Sequence, residues 1–220
     1  RLRRGSGVLQ HVQFLHGQQY FPSRKVELGC ELIKRCYDEL PDGYSELFSI
    51  DLQKDKKLAL IVNVLALVIA AVMAAVGAFL VPFGSALREA GLITALILLL
   101  SIVAYMLLHE LVHGICMRLF GSGKVKYGFT GMYAFAGSGS YFAKGPYIVI
   151  ALAPVVVLGA VLLGLNLYFS GGAAFWVVYI VQICNVGGAA GDIYVTFRFM
   201  RLPKDILVQD SGVAMTVYAK

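Results

Sequence analysis

The chain has 220 residues, of which 59% are hydrophobic and 15% charged, with a net charge of +6 and a mean hydropathy of +0.75. An ordinary soluble domain carries about 25% charged residues. Between Leu58 and Phe197 the acids are Glu89, Glu110 and Asp192, whereas Arg1 to Lys57 carry ten Lys or Arg and eight Asp or Glu; a soluble globular domain, a nucleic-acid-binding domain, a disordered chain and a disulfide scaffold all fit this distribution poorly.

In chain order, residues 24–40 read as an amphipathic helix, with Leu28, Leu32, Cys36 and Leu40 on one face. It either lies on the inner leaflet or packs into a small cytoplasmic cap. Pro41-Asp42-Gly43 is a turn signal, and Phe48, Ile50 and Leu52 alternate with polar residues as in a short strand. Four apolar stretches follow, at residues 58–83, 90–120, 146–169 and 173–200. Each is long enough to cross a hydrocarbon core of about 30 Å, which takes roughly 20 helical residues. Residues 121–145 contain seven glycines, and the alternation of Val125, Tyr127 and Phe129 predicts one or two β-hairpins. An unpaired strand edge there suits an extended peptide. The tail after Pro203 reads as a short irregular or β-like cap.

Basic residues concentrate before the first stretch, in the loop after the second (Lys124, Lys126, Lys144) and in the tail (Arg198, Arg201, Lys204, Lys220), while the alternate connections contribute only Arg88. The positive-inside rule then puts both termini and the middle loop in the cytoplasm. The expected fold is an all-α protein of the cell membrane with four transmembrane helices and a cytoplasmic β-hairpin loop. Residues 1–57 form a cytoplasmic N-terminal segment, residues 58–200 the membrane core and residues 201–220 a cytoplasmic tail. Cys30, Cys36, Cys116 and Cys184 have neither the compartment for disulfides nor the spacing of a thiolate metal site.

The second stretch ends in His109-Glu110-Leu111-Val112-His113, an HExxH sequence. Residues four apart on a helix share a face, so both imidazoles can reach one ion while Glu110 lies beside them as a proton acceptor. Ionisable groups within a membrane are costly, so a cluster of three in five residues is read as functional. Zinc with two histidines needs a third protein ligand, and Asp192 is the only other acid within a span. His109 and Asp192 each follow the outer end of their stretch by nineteen residues, which sets both at about 28 Å depth. Gly114 and the run Gly187 to Gly191 would let these two helices approach. Asn185 lies on nearly the same face as Asp192 and is a candidate for substrate binding or for ordinary interhelical bonding. Pro154 predicts a kink in the third span.

On HELVHG (His109 to Gly114), Ala-Leu-Ala-Pro (Ala151 to Pro154), and Asn185 followed by Gly191-Asp192, the chain resembles the integral-membrane zincin-like metallopeptidases related to the site-2 protease family. The resemblance implies His109, His113 and Asp192 as zinc ligands, Glu110 as general base and Asn185 near substrate. The expected activity is zinc-dependent cleavage of membrane-protein or peptide substrates at the cytoplasmic boundary of the bilayer, with no nucleic-acid partner and no expectation about oligomeric state. A non-catalytic scaffold or pseudoenzyme binding partner helices, and a metal transporter, are the alternatives.

Overall fold

The computed structural model describes residues 35–89, 91–131 and 133–220. Strand β1 (Cys36–Tyr37) and strand β2 (Ser45–Ile50) precede helix α1 (Lys56–Leu80). The helix starts where Asp55 accepts the Leu58 backbone N–H at 3.0 Å. A short helix α2 (Phe83–Glu89) leads into α3 (Leu92–Leu119). Strands β3 (Val125–Phe129), β4 (Ala134–Ser138) and β5 (Tyr141–Ala143) separate α3 from α4 (Lys144–Tyr168). Helices α5 (Gly172–Gly188) and α6 (Ala190–Met200) meet at Ala189, and strands β6 (Leu207–Asp210) and β7 (Met215–Ala219) complete the chain.

The helical runs 56–80, 92–119, 144–168 and 172–200 are each long and apolar enough to cross a membrane. Their outer faces hold uncovered apolar side chains such as Phe79 (90% exposed), Leu119 (78%) and Leu167 (74%), a surface that water does not tolerate over such an area. At one end of the bundle the Glu89 carboxylate accepts the Ala173 N–H at 2.8 Å and so satisfies an orphan donor at the start of α5.

The other end is β-structure, which corrects the all-α expectation. A five-stranded antiparallel sheet runs β1-β5-β6-β7-β2, and β3 pairs with β4 in a separate hairpin. The sheet draws strands from the segment before α1, the loop before α4 and the tail, so these three segments lie on one side of the helices. The tail is the β6–β7 hairpin rather than irregular chain. Of the expected amphipathic helix, residues 24–34 lie outside the described residues; its C-terminal end is strand β1, because Cys36 and Tyr37 pair with Phe142 and Tyr141.

The main core forms where helix ends meet the sheet: Met117, Phe142, Ile150, Phe199, Val208 and Val217 are at most 1% exposed. Lys144 clamps the junction by donating to the carbonyls of Met200 (3.3 Å) and Leu202 (2.6 Å), just where α6 leaves its last acceptors unpaired. Strand β4 is held against the β6–β7 turn by backbone proximity: a Cβ on Gly137 would collide with the Ser211 carbonyl group. Gly137→Ala is expected to cost about 1–3 kcal/mol through overpacking, read as a lower thermal unfolding midpoint. An unchanged midpoint would mean that β4 does not sit so close.

Candidate metal centre

On α3, His109 and His113 stand one turn apart with rings at 76° and their Nε2 atoms 3.2 Å from each other. The facing group comes from α6. Ala189 interrupts the last helical run, so Asp192 falls in the first turn of a new helix, where a carboxylate is favoured by the helix dipole. Its Oδ2 lies 3.5 Å from His109 Nε2 and 3.7 Å from His113 Nε2. All three atoms are within 4.8 Å of one another. Ligands held about 2.0–2.1 Å from a tetrahedral zinc are separated by about 3.3 Å, close to the spacing found.

The partners of the other ring nitrogens fix the histidine tautomers. His113 Nδ1 is 2.9 Å from the Ile150 carbonyl, which can only accept, so Nδ1 carries the proton. His109 Nδ1 is 3.0 Å from the Tyr105 hydroxyl, which itself donates to the Cys184 carbonyl at 3.4 Å and so accepts from His109. Both Nε2 atoms are left with lone pairs aimed at a carboxylate oxygen. Three acceptors facing one another repel unless a proton or a metal ion lies between them, and the donor set of two imidazoles and a carboxylate is that of zinc.

Glu110 is outside this triplet but lines the same cavity of about 290 Å³, with His109, His113, Asp192, Tyr133 and Asp210 on its walls. Ala136 of β4 lines the cavity together with Glu110. The sequence-derived set of His109, Glu110, His113 and Asp192 is thus brought to one place. Asn185 is not: it is fully buried between α5 and α4, its Nδ2 donates to the Val155 carbonyl at 3.1 Å, and it does not line the cavity. The glycines also have other partners than expected. A Cβ on Gly114 would strike the Tyr127 phenol of β3, and one on Gly187 would press on the Ala66 carbonyl of α1, while only Gly188 faces α3, at Tyr105.

Sequence reasoning missed Tyr105, Ile150 and Asp210. Tyr105 had a signal, since it sits four residues before His109 on the same face. Asp210 had none, because it reaches the cavity through sheet pairing. Its carboxylate accepts from the Tyr147 hydroxyl at 2.5 Å and from the Gly212 N–H at 2.8 Å. Burial nevertheless pushes that carboxyl above its usual range.

Residues 102–207 match the family model described as "Putative zincin peptidase". The matched stretch runs from within α3 to the start of β6 and contains His109, Glu110, His113 and Asp192, so the chain is similar to zincin peptidases across its whole candidate centre. The similarity supports a zinc peptidase. No curated protein and no solved structure gives a significant match.

Proposed function

We propose that the chain is a zinc-dependent endopeptidase of the cell membrane that cleaves membrane-associated proteins at the cytoplasmic boundary of the bilayer. The observation that carries this reading is the convergence of two imidazole Nε2 atoms and a carboxylate oxygen beside Glu110, on one open cavity. His109, His113 and Asp192 would hold the ion, which supplies Lewis-acid polarisation of the scissile carbonyl and acidifies water. Glu110 takes the proton of the attacking water and returns it to the leaving amine. Its place beside the ligands, and not among them, leaves its carboxylate free for both transfers.

The membrane setting is supported by the four apolar runs and their uncovered faces. The orientation is supported by charge: among residues 84–89 and 170–172 the only basic residue is Arg88, whereas Lys54, Lys124, Lys126, Lys144, Lys204 and Lys220 lie in or beside the segments that form the sheet end. An extended substrate segment docks along β4, which among the described residues pairs with β3 alone and contributes Ala134, Phe135 and Ala136 to the cavity wall.

The purified chain in lipid vesicles is expected to cleave members of a proteome-derived peptide library, as read by mass spectrometry. Chelation should abolish the cleavage, and micromolar zinc should restore it. Cleavage indifferent to chelator would rule out the metal mechanism.

A further inference from the structure

Inside an α-helix the carbonyl of residue 150 accepts the N–H of residue 154. In α4 that residue is Pro154, which has no N–H to give. The Ile150 carbonyl is buried with its residue at 1% exposure, and a backbone carbonyl freed in an apolar helix must find another donor. The donor it finds is a side chain of a different helix: His113 Nδ1, at 2.9 Å.

We propose that Pro154 is a positioning residue for the metal ligand His113, because by withholding one backbone N–H it leaves the Ile150 carbonyl free to accept the His113 Nδ1–H and so aims Nε2 at Asp192. The inference rests on the metal-centre reading given above. Without the proline, the 150 carbonyl turns along the helix axis into the ordinary helical bond, and His113 loses the contact that sets its tautomer and ring rotation. The other histidine has no such dependence, since Tyr105 of its own helix holds it. A proline in the middle of α4, which costs about 3 kcal/mol in a helix interior, thereby has a role that a kink alone does not explain.

The test is zinc affinity of the full chain in detergent, by competition with a chromophoric chelator, together with the unfolding midpoint of the metal-free protein. Outer-shell partners of metal-bound histidines typically contribute 10–100-fold in affinity. Pro154→Ala is expected to bind zinc at least about tenfold more weakly while the metal-free midpoint stays the same or rises, since the helix gains a hydrogen bond. Lactic acid at position 154, which supplies the alanine methyl group on an ester without an N–H, is expected to keep near wild-type affinity. Wild-type affinity in Pro154→Ala would overturn the proposal. So would an ester variant as weak as Pro154→Ala, and should that substitution fail to fold, an ester variant about tenfold weaker than wild type does the same. A wild-type chain that binds no zinc would instead overturn the metal-centre reading itself, and this inference with it.

Discussion

Glu110→Gln is expected to abolish peptide hydrolysis, by about 10²–10⁴-fold or more, while zinc content and substrate affinity stay at the wild-type level. The substitution keeps the shape of the side chain and one carbonyl oxygen that can still accept a hydrogen bond. What it removes is the ability to take a proton and give it back. Because Glu110 is not one of the three converging ligand atoms, the ion is retained, so the loss falls on turnover. Cleavage rate against a fixed peptide, measured beside metal content by atomic emission, separates the possibilities. Full activity in this variant would exclude Glu110 as the base, and loss of zinc would make it a ligand.

Much of this centre was legible from the chain because its parts are governed by local rules. Helical periodicity fixes the shared face of His109 and His113, and the scarcity of acids between residues 58 and 197 leaves Asp192 as the partner. The rest depends on pairings that no local rule encodes. Strand β1 is two residues long and joins Tyr141 and Phe142 more than a hundred positions away; in isolation Cys36 continues a helical stripe equally well. Asn185 sits seven residues from Asp192, and on an unbroken helix the two would share a face. The interruption at Ala189 turns them apart, and Asn185 ties α5 to α4 instead. A run of small residues announces close approach but not of what, which is why Gly114 meets a tyrosine of β3 and not the last helix.

These pairings also explain how the centre is held. Its ligands come from α3 and α6, and the groups that orient the two histidines tie them to α4 at Ile150 and to α5 at Cys184. The four helical segments around the site are therefore all coupled to ligand geometry, while β4 of the β3–β4 hairpin and the β6–β7 turn of the larger sheet supply the cavity wall. A displacement of any one segment alters the aim of an imidazole. The arrangement suits a site that needs a fixed ligand set next to an opening for peptide.

Asp192→Asn is expected to leave the stability of the metal-free protein little changed and to remove most of the stabilisation that zinc provides. In the metal-free chain the Asp192 carboxylate lies 3.5 and 3.7 Å from the two imidazole Nε2 atoms, where a proton on either ring makes an ion pair. An asparagine amide can donate to one of them, which replaces that proton-bridged contact by a neutral hydrogen bond. The metal-free variant should therefore unfold close to the temperature of metal-free wild type. Zinc should stabilise wild type by mass action, about 4 kcal/mol at a thousandfold excess over its dissociation constant. That stabilisation should largely vanish in Asp192→Asn, because the neutral amide is a poor ligand, and in His113→Ala, which removes a donor outright. Only a residue maintained for metal binding gives this pattern; one retained for packing would lose stability in both states. Equal zinc stabilisation in wild type and Asp192→Asn would remove Asp192 from the ligand set.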